Sequence, residues 1–261
     1  MLRKHINSIA LVLVFIFLSS CANKKNILYL QDHTQQINQD ITTSYVNRLQ
    51  ADDILSIQVS SSDSQGVAAF NIATSNGILG SDVAVGNPRF INYIIRQDGT
   101  IEFPIIGKIK LADLTIIEAI EYLKKEISAY VNKPIVILEW LNFKYSVLGE
   151  VTRPGQFKSL SERVTIFDAI SNAGDLSIFG QRKNIILIRE NNGKRSHFTI
   201  DLTNKNFIGS EAYYVKQNDV IIVSPNNAKV QSSAFNQNAS VYISIASVIL
   251  ALTTIFINTN R

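Results

Sequence analysis

With one cysteine in 261 residues, the chain can form no internal disulfide framework, and neither a Cys₂His₂ nor a Cys₄ zinc site can be assembled. Histidine is nearly as scarce: His5, His33 and His197 lie far apart in sequence, so a Ser/His/Asp triad would have to be built on His33 or His197. There is no glycine-rich phosphate-binding loop, and no cofactor or metal is expected. Charge is low too, at 18% of residues, with Lys+Arg 25 against Asp+Glu 21. Arg3 and Lys4 account for part of the formal +4 and would leave with a cleaved leader, so no nucleic-acid partner is expected.

What the chain does have is apolar sequence at both ends. Met-Leu-Arg-Lys opens an apolar run over residues 9–18, followed by Leu18-Ser19-Ser20-Cys21. This is the basic, hydrophobic, small-residue order of a secretory signal, and the run is too short to span a bilayer comfortably. The spacing resembles the bacterial lipobox, which implies a signal peptide over 1–20 and acylation of Cys21 as the new amino terminus. The alternative is a signal anchor with an incidental cysteine. No acidic residue follows in Ala22-Asn23-Lys24-Lys25-Asn26, which in the lipoproteins this resembles favours transfer to the outer membrane.

At the other end, residues 230–260 carry no charge, and 241–257 are almost wholly apolar or small. On a helix those seventeen residues span about 26 Å at ~1.5 Å each, suited to a thin bilayer, and a transmembrane helix is expected over 240–258. Ser240, Ser244, Ser247, Ala251, Thr254 and Asn258 then form one small, polar stripe, which allows close helix–helix approach in lipid or faces a water-filled lumen. Alternatively the segment is a single tail anchor whose hydroxyls bond back to their own carbonyls.

Between these ends the pattern is α+β. Residues 21–44 read as a lipidated tether, with Ile27-Leu28-Tyr29-Leu30 as a candidate docking strand. From Asp52-Asp53 onward, Leu55, Ile57 and Val59 alternate with Ser56, Gln58 and Ser60, the period of a half-buried strand. Residues 60–90 are Ser-, Gly- and Asn-rich, and read as a long loop or insertion. Asp98-Gly99 predicts a two-residue hairpin turn between strands at 93–97 and 100–103. Thr115-Ile-Ile-Glu118 is a capping box, and Ile116, Ile120, Leu123 and Ile127 continue at helical spacing until Pro134 forbids extension. A buried strand follows at 135–138. A second unit repeats the plan: a strand through Tyr145, Val147 and Val151, a turn at Arg153-Pro154-Gly155, a capped helix from Thr165 to near Gly174, and a hairpin about Asn192-Gly193. Thr165-Ile-Phe-Asp168-Ala-Ile matches Thr115-Ile-Ile-Glu118-Ala-Ile in type, and Asp219-Val-Ile-Ile-Val echoes Asp53-Ile-Leu-Ser-Ile, which suggests duplicated units. The fold class is therefore α+β: two small strand-rich units, each with a packed helix, the second β-grasp-like, plus the carboxyl-terminal transmembrane helix.

The succession of a lipobox, Asp53-Ile-Leu-Ser-Ile, Asp98-Gly99-Thr-Ile-Glu-Phe-Pro104-Ile-Ile-Gly107, Leu114-Thr115 with Glu118-Ala119, and Val147-Leu-Gly149-Glu-Val-Thr-Arg-Pro154-Gly155 resembles the outer-membrane polysaccharide export lipoproteins of the Wza type. The resemblance implies a polysaccharide export sequence domain over 45–140, a soluble-ligand-binding β-grasp domain over 143–225 and a linker over 226–239. It further implies a homo-oligomeric ring that conducts capsular or extracellular polysaccharide across the outer membrane, with the bulk of each chain in the periplasm. The partners it implies are membrane lipid, the exported polysaccharide and an inner-membrane polysaccharide co-polymerase that supplies the energy. The competing expectation is a periplasmic glycan-binding or scaffold lipoprotein with a tail anchor.

Catalysis is not expected. An acylated Cys21 is no nucleophile, His197 falls on a hairpin strand where a solvated position is expected, and Asp52 and Asp53, adjacent on a strand, point to opposite faces and cannot flank one glycosidic bond. Gly99, Gly107, Gly149 and Gly155 are expected at turns needing unusual φ/ψ.

Overall fold

The computed structural model describes residues 26–31, 46–62, 64–74, 89–191, 193–234 and 239–259. The signal segment, Cys21, most of the tether and much of the 60–90 insertion lie outside the described residues.

The first unit is a three-stranded antiparallel sheet around β1 (Ile54–Ser60). Leu55, Ile57 and Val59 are buried as the sequence predicts and sit opposite Trp140, Leu138 and Val136 of β7 (Ile135–Trp140), but Ser56 on the other face is buried too. The insertion contributes α1 (Ser64–Ala68) and a short pairing of β2 (Ala73–Thr74) with β3 (Arg89–Phe90). On the other edge of β1 lies β4 (Asn92–Ile94).

The Asp98-Gly99 turn forms, with Gly99 N–H donating to Arg96 O at 2.8 Å and Arg96 N–H to Thr100 O at 2.8 Å, but the pairing of its arms does not extend into a ladder. Its second arm, β5 (Thr100–Phe103), instead pairs with β6 (Gly107–Lys110). On its other edge the first arm meets the loop before β1, where Ile95 exchanges backbone bonds with Asp52 and Asp53.

Over this sheet packs α2 (Ile116–Ile127), burying Ile116, Ala119, Leu123 and Ile127. Thr115 Oγ1 accepts from Glu118 N–H at 3.1 Å and Glu118 Oε2 accepts from Thr115 N–H at 2.8 Å, so the expected capping box is present. Pro134 does not end this helix. It stops at Ser128, whose hydroxyl and N–H both bond to Lys124 O, and Pro134 only precedes β7.

The second unit is a five-stranded mixed sheet in the order β12-β11-β14-β8-β9. Its strands are β8 (Lys144–Gly149), β9 (Gly155–Lys158), β11 (Gly180–Asn191), β12 (Lys194–Ile200) and β14 (Val220–Pro225). Only β8 and β14 are parallel neighbours. A separate two-residue ladder joins β10 (Val164–Thr165) to β13 (Tyr214–Val215). The helix α3 (Ile166–Asn172) carries a second capping box, on Thr165 and Asp168, and buries Ile166, Ala169 and Ile170. The two units thus share caps but not sheets, one being antiparallel throughout and the other built on a parallel pair, so the plan is not repeated strand for strand.

The buried apolar residues of both units form one connected cluster, from Leu49 to Val223. Beyond it, the segment expected to be a linker holds a helix, α4 (Asn227–Ala234), followed by α5 (Ala239–Thr259). Every described side chain of α5 from Val241 to Ile255 is exposed. Among the described residues no helix is long and apolar enough to cross a membrane. The transmembrane helix expected over 240–258 is accordingly not part of the fold established here, which is mixed α+β.

Candidate functional site

Two loops of matching geometry carry the polar core of the molecule. Before β1, Asp52 takes φ 71 and the next residue, Asp53, turns its carboxylate back, Oδ2 accepting from Gln50 N–H at 2.7 Å. Before β14, Asn218 takes φ 64 and Asp219 Oδ2 accepts from Lys216 N–H at 2.7 Å. Asp and Asn tolerate the left-handed region better than most residues, so the echo between the two sequences is an echo of one turn.

The carboxylates then meet different partners. Asp219 is gripped by Arg189, with Nε to Oδ1 at 3.0 Å and Nη2 to Oδ2 at 2.7 Å. Arg189 also donates to the carbonyls of Glu211 and Tyr214, so a pair whose side chains are 3% and 0% exposed leaves little hydrogen-bonding capacity unused. Asp53 is as deeply buried, but the partner that reaches it from the second unit is neutral. Gln217 Nε2 donates to Asp53 Oδ1 at 3.0 Å and to Asn142 O at 3.1 Å, while Gln217 Oε1 accepts from Lys144 N–H at 2.8 Å. Asn142 completes the weld, its Oδ1 accepting from Ile54 N–H and its Nδ2 donating to Asp52 O. Burial pushes the Asp53 carboxyl up to about 7, against the lowering bonds from Gln50 and Gln217. Asp53 therefore joins the units. Asp52 is exposed, but the pair lies in the turn before β1, with Asp52 at φ 71, and not on a strand, so it is the turn and not strand alternation that separates the two carboxylates. Sequence reasoning found both aspartates but neither Gln217 nor Asn142, whose roles depend on contacts between units.

Gly149 takes φ 90, and a Cβ there would lie 2.0 Å from Val223 O, because β8 and β14 run so close at this point. Gly99 and Gly107 also have positive φ, but Gly155 does not, and a Cβ on it would meet open space. The expectation for Gly155 is thus corrected: the exposed Pro154 already shapes the entry to β9. Pro104 opens the β5–β6 turn, where Ile106 N–H returns to Pro104 O at 2.7 Å.

On α5, Ser244 Oγ donates to Val241 O at 2.9 Å, Ser247 Oγ to Ser244 O at 2.8 Å and Thr254 Oγ1 to Ala251 O at 2.7 Å. The stripe hydroxyls are thus satisfied within the helix. The side chains of Ser240 and Asn258 lie outside the described residues, as does Cys21.

Residues 26–31 are held against the second unit. Leu30 N–H donates to Leu202 O at 3.0 Å and Gln31 N–H to Thr203 O at 2.9 Å. Tyr29 bonds Asp175 through its hydroxyl, meets Phe167 edge-on and lies under the Arg182 guanidinium. Burial, then the Asp175 bond, raises the Tyr29 phenol above its ordinary range. Beside this segment is a cavity of about 550 Å³ lined by Asn26, Ile27, Ile178, Phe179 and residues 226–228, among others. Among the described residues no group of three His, Cys, Asp or Glu side chains could hold a metal ion, and His197 is exposed on β12.

Comparison with known proteins agrees with this division into two units. Residues 36–140 match the family model described as polysaccharide biosynthesis/export protein, and residues 143–223 match that of the SLBB domain. The EPS I polysaccharide export outer membrane protein EpsA of Ralstonia solanacearum is 30% identical over 96 residues, which is 36% of this chain and 26% of that protein. The protein of the same name from Ralstonia nicotianae is 30% identical over 95 residues, 35% of this chain and 25% of its own length. The chain thus spans about a quarter of the length of the curated relatives it matches. Over residues 36–140 and 143–223 the chain is similar to a polysaccharide biosynthesis/export protein domain followed by an SLBB domain.

Proposed function

Taking that similarity as the premise, we propose that this chain is a subunit of an oligomeric outer-membrane translocon that passes capsular or extracellular polysaccharide outward. Cys21 is its acylated first residue, carrying palmitate among its acyl chains. Residues 45–140 and a β-grasp unit over 143–225 form the periplasmic body, and 240–258 cross the membrane. The observation that carries this reading is the succession of the two matched domains, beyond which α4 leads to the uncovered apolar helix α5. Its exposed Ile243, Ile245, Ile249, Leu250 and Leu252 need a cover that the described residues of the chain do not supply, and lipid or neighbouring helices would supply it. A helix satisfies its backbone internally, so it can cross lipid without a β-barrel around it. A co-polymerase in the inner membrane would provide the energy.

The tail-anchor reading has one observation in its favour: the described stripe hydroxyls, of Ser244, Ser247 and Thr254, bond to carbonyls of their own helix, so these three need no partner helix. Deleting residues 240–258 separates the two. The translocon reading expects a folded, still lipidated body and no polysaccharide export in cells. Export at the normal level from the truncated chain would contradict it.

A further inference from the structure

Both chain ends that this proposal sends to the membrane leave the folded body at one place. Residues 26–31 are pinned by the Leu202 and Thr203 carbonyls, and Asn26 and Ile27 line the same cavity as Asn226, Asn227 and Ala228, where α4 begins on its way to α5. Cys21 stands five residues before Asn26, a reach of at most about 17 Å when fully extended. An acyl chain on Cys21 would therefore hold the rim of this cavity within that distance of the lipid headgroups.

The rim has the composition of an interfacial contact. Leu28 is 56% exposed, Ile178 58% and Phe179 37%, and the three lie on the docked segment and the loop facing it. Lys183 is exposed beside them. Lys229 lays its ammonium over the Phe179 ring at 5.4 Å, an apolar stem with a cationic head. Lys24 and Lys25 precede Asn26 in the sequence. The carboxylates nearby are already engaged: Glu150 by Ser177 Oγ at 2.8 Å and Lys229 at 3.8 Å, and Asp175 by Tyr29.

We propose that Leu28, Ile178 and Phe179, flanked by Lys183 and Lys229, form a surface that rests in the headgroup layer of an anionic periplasmic leaflet and fixes the second unit, not the first, against the membrane. Apolar side chains enter the boundary between headgroups and acyl chains, and the Lys183 ammonium meets the lipid phosphates, while Lys229 neutralises Glu150 beside them. The surface rests on the anchoring proposed above.

The test uses the full chain, reconstituted into vesicles of phosphatidylethanolamine and phosphatidylglycerol. Ile178→Cys provides a thiol for an environment-sensitive fluorophore, with Leu160→Cys, at a position 100% exposed, as the control. The unsubstituted chain, treated alike, reports any labelling of Cys21. The proposal expects the probe at 178 to shift to the blue and to be quenched by lipids carrying a spin label near the headgroup, while the probe at 160 is not. Lys183→Glu should roughly halve the quenching at 178. A chain that floats with the vesicles but shows no lipid quenching at 178 overturns the proposal and leaves the anchoring intact. If that probe is blue-shifted without quenching, the rim is covered by another copy of the chain instead. A chain that does not float overturns the anchoring itself, and the proposal with it.

Discussion

Asp53 and Gly149 show how much of this molecule depends on single positions. The Asp53 carboxyl is pushed up to about 7 in the folded chain, against ~3.9 in an unfolded one, so the folded state holds an extra proton between those values. The stability contributed by this group is full below about pH 4 and is lost as pH rises through 7, by on the order of a few kcal/mol. An asparagine in its place would keep an acceptor for Gln50 N–H and cannot ionise. The Asp53→Asn chain should therefore gain melting temperature relative to the parent as pH goes from 4 to 7.5, and parallel melting curves across that range would exclude the buried-proton account. Asp219, in the matching turn, has Arg189 beside it, and removing either member there leaves a buried charge unpaired. At Gly149 the argument is steric. With φ 90 and a Cβ position 2.0 Å from Val223 O, Gly149→Ala must part the β8–β14 pair, and it should cost at least about 3 kcal/mol in urea unfolding. Gly155→Ala, into open space, should stay within about 0.5 kcal/mol. Equal midpoints for the two variants would contradict the reading of Gly149.

At the level of elements, the helices were the most legible part of the sequence, because their signals are local. Thr115 with Glu118 and Thr165 with Asp168 cap α2 and α3 as their spacing predicts, and Thr→Ala at either position should lower stability by about 1 kcal/mol in chemical unfolding. Ends governed by tertiary contact were less legible. Pro134 looked like the stop of α2, but Ser128 ends it six residues earlier. The Asp98-Gly99 turn closes as its sequence predicts, through Arg96 and Thr100, but the ladder beyond it runs from β5 to β6. On α5 the sequence shows a stripe of small residues but not what faces it. If neighbouring helices or a lumen do, Ser247→Trp should impair polysaccharide export in cells while Ile255→Trp leaves it near normal. Equal and harmless outcomes would reduce the stripe to the anchor reading, in which its hydroxyls serve only their own backbone.

On the scale of the whole molecule, the two units share one apolar core and a polar weld of Asp53, Gln217, Asn142 and Lys144, so they form a single body. The order of the domains was legible, because strand alternation, capping boxes and turn motifs recur along the chain. The weld was not, because Gln217 and Asn142 carry no local signature and acquire their roles only when β8 and β14 become parallel neighbours. The central claim is that such bodies assemble around an axis with their α5 helices together. It is tested most directly by the mass of the detergent-solubilised full-length protein, measured by light scattering with the detergent contribution subtracted. The translocon account predicts a single species at a whole multiple of the 29.1 kDa chain, less the leader if it is cleaved, large enough to close a ring of several copies. A monodisperse monomer from membranes extracted under mild conditions would contradict it.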